Sequence, residues 1–226
     1  MALLLLLGRQ ILLFSKTDRS VYSERKIGYT RGVSETATVA GPRPQARKRI
    51  LDTAYKLFST RGIRAVGIDE IVERAEVAKA TLYRHFRTKD ELVLSFLEQR
   101  EELWSKDLVE AGARRRGATP EEQLLAIFDV FDDWFHDEQF EACSFINVLL
   151  EMGPEHVAGK ACISYMGNVR TLLSALAEEA GLRDTEEFAH SFQILMKGST
   201  ISAAEGDLEA GQRAKAMARL LIEQYR

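Results

Sequence analysis

The residues best suited to chemistry lie between Lys79 and Lys89, which read Lys-Ala-Thr-Leu-Tyr-Arg-His-Phe-Arg-Thr-Lys. On a wheel of about 100° per residue, Leu82 and Phe86 share one face. Ala80, Thr81, Arg84 and Arg87 fall on or near the opposite face, flanked by Tyr83 and His85. That outer face is short, polar and cationic, and Ala80 leaves room for a base edge to come close. The chemistry it offers is recognition rather than catalysis. Arginine can grip a guanine edge with two hydrogen bonds, and a short helix fits a major groove. The alternative is an ordinary solvated helix face, since charge on a surface helix is common.

Two elements upstream would position such a helix. Ile50, Leu51, Ala54, Leu57 and Phe58 recur at helical spacing, and Arg61-Gly62 supplies a basic last turn and a stop. A second stripe follows in Ile68, Ile71, Val72 and Ala75. Only Glu76-Val77-Ala78 separates it from the segment that starts at Lys79. Two short helices joined by so tight a turn, with apolar Val77 inside it, match a helix-turn-helix.

Residues 48–97 resemble the DNA-binding domain of the TetR (tetracycline repressor) family of bacterial transcription regulators. The resemblance runs through Ile50–Ala54, Leu57-Phe58, Arg61-Gly62, Ile71–Ala75, Val77–Phe86 and Lys89–Leu92. It implies that Lys79, Thr81, Tyr83 and His85 touch phosphates and base edges, and that Lys89 contacts a phosphate. A lysine at a helix start opposes the helix dipole, which also suggests an external anion for Lys89. Arg84 stands at a variable family position and is the candidate for sequence reading. The sequence departs from the family at two positions. Glu76 replaces the usual turn glycine, and a non-glycine residue in a left-handed conformation costs on the order of 1 kcal/mol. Gly67 stands where the family tends to have a phosphate-binding Thr or Ser, and it offers no hydroxyl.

The formal net charge of −3 conceals a split along the chain. Residues 1–45 carry 7 Lys+Arg and 3 Asp+Glu, residues 46–89 carry 11 and 5, and residues 90–226 carry 13 and 26. A basic reading head on an acidic body suits DNA binding by the head alone, because phosphate repels the body. Domain boundaries are accordingly expected at 1–45, 46–92 and 93–226. Met1–Phe14 is nearly all apolar, but Arg9 interrupts it and it is shorter than the ~20 residues needed to span a bilayer. Residues 1–45 read as a disordered or non-native extension closed by a Gly41-Pro42-Arg43-Pro44 linker, with a membrane anchor as the alternative. Cytoplasmic placement is expected.

Beyond Leu92 the pattern stays helical, so the fold class is all-α: a three-helix helix-turn-helix domain plus a larger helical domain for effector binding and dimerisation. Leu92–Ala113 continues the fourth helix and ends in Arg114-Arg115-Arg116, a cluster that complements the helix dipole more simply than it serves DNA. Thr119-Pro120-Glu121-Glu122 is a strong helix start. The family resemblance implies a homodimer through the last two helices, bound to a palindromic double-stranded DNA operator with recognition helices about 34 Å apart. It also implies an apolar effector cavity. Trp104, Phe128, Phe131, Trp134, Phe135, Phe145, Asn147, Tyr165, Met166 and Gln193 are the candidate ligand-binding residues, against the alternative that they are plain core.

Enzymatic or metal-binding activity is the rival reading. His136, His156 and His190 could gather near carboxylates, but the sequence carries no HExxH, nucleophile-elbow or glycine-rich phosphate motif. Cys143 and Cys162 fit no usual zinc spacing and read as small buried hydrophobes, with a redox pair as the alternative. No catalytic residue, metal or cofactor is expected. A DNA-binding protein without an effector is the other alternative.

Overall fold

The computed structural model describes residues 42–226 apart from 139, with side chains from residue 45 onward. Expectations for Met1–Phe14 and the rest of the extension up to residue 41 lie outside these residues. Among the described residues the chain forms helices and turns, with no strand.

Helix α1 (Pro42–Arg61) starts four residues before Ala46, inside the stretch expected to be linker. Proline is compatible with a helical first turn, where no N–H is needed for the ladder. Gly62, at φ 79°, ends α1 by donating its N–H to the Phe58 carbonyl at 3.0 Å. Helices α2 (Ile68–Arg74) and α3 (Lys79–His85) follow. Glu76 in the turn between them adopts φ 52°, the left-handed conformation anticipated for that position. Ile50, Ala54, Ile71, Leu82 and Phe86 close the core of this head.

Helix α4 (Lys89–Arg100) belongs to head and body at once. Leu92, Val93, Phe96 and Leu97 are all buried, and the Phe96 ring meets those of Tyr55 and Phe58 at 5.4 and 5.6 Å. The helix runs without a break into a π-helical segment, Glu101–Glu110, and then α5 (Ala111–Arg116). The wider i→i+5 pattern turns Glu101, Trp104, Ser105 and Val109 inward together. The sequence foretold the length of this helix but not its change of register. Arg114 and Arg116 pair with Glu110 and Asp133, consistent with a structural role for the arginine cluster.

The remaining helices are α6 (Pro120–Phe135), α7 (Ser144–Met152), α8 (Val157–Glu179), α9 (Thr185–Ala204) and α10 (Ala210–Gln224). Helix α6 opens with the expected capping box: Glu122 N–H donates to Thr119 Oγ1 at 3.2 Å and Thr119 N–H donates to Glu122 Oε2 at 3.1 Å. Helix α8 is the central post, packed on α4, α6, α7 and α9. Helix α10 lies on α6 and α9. Lys215 of α10 donates to both carboxylate oxygens of Asp129 on α6 at 2.6 Å. A single apolar core runs from Ile50 to Ile222.

Candidate nucleic-acid interface and buried cavity

Helix α3 buries Leu82 and turns Lys79, Ala80, Tyr83 and Arg84 to solvent, with Thr81 and His85 half-buried beside them. The seven-residue helix depends on its neighbours, since so short a helix has little stability of its own. Arg84 has no hydrogen bond or ion pair among the described residues, so its guanidinium is available to an outside partner. Tyr83 is 43% exposed, unusual for an aromatic ring without a partner to cover it. Lys79 donates to Asp69 of α2 at 2.6 Å, and that hydrogen bond raises its pKa. Both side chains are largely exposed, so a phosphate can replace Asp69 at little cost.

Lys89 has a partner within the head. Its ammonium turns inward and donates to the Ile63 carbonyl at 2.5 Å. Burial pushes its pKa down, against the opposing pull of Glu151 and Asp90. This hydrogen bond engages one of the three N–H groups of the ammonium, which leaves donors for the phosphate contact expected of Lys89. Gly67 caps α2 without a side-chain hydrogen bond, as its residue type requires.

Glu151, near the end of α7, was not singled out from the sequence. Its carboxylate accepts from Ile63 N–H at 2.8 Å and Arg64 N–H at 2.6 Å. A Cβ at Gly62 would stand 2.9 Å from the same carboxylate. Glu151 and Lys89 thus hold the α1–α2 loop from two sides. No local pattern could have revealed this, because the partners lie 87 and 88 residues away along the chain.

A small cavity of about 30 Å³ lies between the π-helical segment, α6, the start of α7, α8 and α9. Five expected residues line it: Trp104, Phe131, Phe145, Met166 and Gln193. Cys143, Ile146, Val169, Met196, Lys197 and Thr200 complete the wall and were not foreseen. The i,i+4 spacing of Gln193 with Lys197 and of Met196 with Thr200 was the available signal. The other five candidates lie elsewhere. Phe128 is core, stacked on Phe192 at 5.1 Å. Trp134 and Phe135 turn toward Phe140, at 4.9 and 5.3 Å. Tyr165 covers the Phe145 ring at 5.5 Å without reaching the cavity. Asn147 is exposed and faces a separate cleft between the end of α1 and α7. Aromatic type marks core and cavity alike, which is why the sequence could not separate them.

The three histidines sit on different elements. His136 follows α6, His156 caps α8 through Nδ1 at 3.2 Å from Ala158 N–H, and His190 lies in α9. Among the described residues no group of three His, Cys, Asp or Glu side chains could hold a metal ion. No helix among them is long and apolar enough to cross a membrane.

Burial raises the pKa of both cysteine thiols, that of Cys162 to about 12. Because the thiolate is the reactive form, the native protein at pH 8 should react slowly with a thiol reagent and fast once denatured. Immediate labelling of the native protein would sink this. Raised folded-state values also mean that the unfolded chain releases these protons first. The thiols' contribution to stability is therefore complete below about pH 8.5 and is lost as the pH rises toward 12.

The family model described as bacterial regulatory proteins of the tetR family matches residues 50–96, which span the last twelve residues of α1, the α1–α2 loop, α2, α3 and most of α4. A TetR-family transcriptional regulator from Streptomyces coelicolor has the same fold at a TM-score of 0.74 and 28% identity, over 80% of this chain and 96% of that one. Residues 50–96 thus match the TetR family, and the described residues share the fold of a TetR-family regulator. Family members among its relatives include the HTH-type transcriptional activator FasR of Mycolicibacterium smegmatis, 38% identical over 102 residues, 43% of this chain and 44% of that protein. The HTH-type transcriptional repressor KstR of the same organism is 36% identical over 92 residues, 41% of this chain and 44% of that protein. These alignments span less than half the length of either curated relative. The family is one of transcription regulators rather than enzymes.

Proposed function

We propose that the protein is a homodimeric transcriptional repressor that sets α3 in the major groove of a palindromic operator and is released by a small apolar effector. The carrying observation is the exposed face of α3, with Arg84 unpartnered among the described residues above a head whose core is complete. Lys79, Ala80, Thr81, Tyr83, His85 and Lys89 supply the remaining contacts, and Lys89 also holds the α1–α2 loop through the Ile63 carbonyl. The repressive sense follows the relatives named repressors. Selection of binding sites from random DNA tests the reading: a two-fold symmetric consensus is expected, and a pool with no enrichment would overturn it.

Dimerisation through α9 and α10 is supported by the apolar side chains that they expose. Ile194 and Leu220 are 68% and 73% exposed, and Ile201 and Met217 also face outward. A groove of about 340 Å³ between the two helices is lined in part by Gly198, Ala210 and Ala214, small residues that let a partner helix approach closely. Leu220→Glu is expected to give a monomer by light scattering and to weaken operator binding. A persistent dimer would move the interface elsewhere.

Helix α7 gives the effector a route to the head. Its first turns wall the cavity through Phe145 and Ile146, and Glu151 near its end holds the α1–α2 loop. A cavity of 30 Å³ holds no more than a water or two, whereas ligand sites run to roughly 300–1,000 Å³. An effector must therefore select an opened form. Displacing α7 in that form shifts the head and the spacing of the two α3 helices, with a coupling of about 1–3 kcal/mol.

A further inference from the structure

The geometry points to an effector that is an apolar carboxylic acid, its carboxylate met by Lys197 and the Trp104 indole N–H. This deepens the effector reading above and rests on it. The argument comes from which polar groups in the cavity wall are already engaged. Gln193 is buried and committed at both ends: its Nε2 donates to the Met166 carbonyl at 2.7 Å and its Oε1 accepts from Arg170 Nη1 at 3.0 Å. Thr200 donates to the Met196 carbonyl at 2.9 Å. Two groups remain unengaged, and both are donors. The Trp104 Nε1–H is buried without an acceptor. Lys197 is half-buried and forms no hydrogen bond or ion pair among the described residues.

Elsewhere in the body carboxylates outnumber cations, yet none is paired with Lys197. Burial lowers the Lys197 pKa, and so does Arg170, a second cation nearby, against a smaller opposing pull from Cys143. A buried donor without an acceptor and a half-buried cation without a counter-ion are both costly, and a ligand that brings an anionic acceptor removes both costs. The rest of the wall sets the other half of the ligand. Phe131, Phe145, Ile146, Val169, Met166 and Met196 offer only apolar surface, and the two methionines are the side chains best able to yield as the cavity opens.

Three probes with ten-carbon chains separate the possibilities: decanoate and decyltrimethylammonium below their micellar concentrations, and decanol below its solubility limit. Calorimetry and thermal shift on the full-length protein should rank decanoate first, about ten-fold or more tighter than decanol, with the cationic probe weakest. Lys197→Met keeps the apolar stem and should bring decanoate and decanol to similar affinity, and Lys197→Arg should restore the preference. Equal binding of acid and alcohol by the wild type, or an unchanged ratio in Lys197→Met, would overturn the anion preference alone. Failure of all three probes to bind would overturn the cavity reading together with it.

Discussion

Arg84→Ala is expected to weaken operator binding by about 1–3 kcal/mol per half-site and to flatten the preference among bases at the position it reads. The size follows from the loss of a two-pronged hydrogen bond to a base edge, which alanine cannot replace. Stability should be nearly unchanged, because Arg84 is exposed and has no partner among the described residues. The two effects together distinguish a reading residue from a structural one. Fluorescence anisotropy on the selected operator, on single-base variants and on random DNA would measure the first, and a thermal melt the second. If affinity falls equally on every DNA, Arg84 is a phosphate contact. If discrimination and affinity both survive, α3 does not read through this side chain.

Glu151→Ala is expected to act through the opposite property. It removes the acceptor of two backbone N–H groups, one of them on buried Ile63, and takes a nearby negative charge from Lys89. Hydrogen bonds to a charged group contribute about 1.5–3 kcal/mol. In a domain of this size each kcal/mol moves Tm by roughly 2–4 °C, so the loss of even one of the two bonds predicts a fall of roughly 3–12 °C. Operator affinity should fall too, because the α1–α2 loop no longer holds the head at a set angle to α7. Amide exchange at Ile63 and Arg64 should quicken, which locates the change. Unaltered Tm and exchange would mean that solvent replaces the carboxylate without loss and that α7 does not govern the head.

The head was legible in the sequence because its signals are local. Leu82 and Phe86 at i,i+4, the stop at Gly62 and the three-residue turn all act within a few positions of each other. Glu76 announced its left-handed backbone by standing where the family uses glycine. The helix starts were equally local, as Thr119 and Glu122 show. Sites made by distant partners were not legible. Nothing near Glu151 names Ile63, and nothing near Lys89 reveals that its ammonium turns inward. The cavity divided along the same line. Trp104, Phe131, Phe145, Met166 and Gln193 were found by residue type, but type also selected Phe128 and Phe135, whose packing places them in solid core. Lys197 escaped because a lone lysine in an amphipathic helix ordinarily faces water.

The shared helix α4 bears on how such proteins can be recombined. The boundary drawn from sequence at residue 92 cuts through it, ahead of Phe96, whose ring packs on Tyr55 and Phe58. A head excised there would expose both rings, and one grafted onto a foreign body would arrive without the carboxylate that holds its α1–α2 loop. The reading head is therefore not a portable cartridge. A chimera that preserves both recognition and response must carry α4 through Leu97 and supply an acidic residue in the place of Glu151.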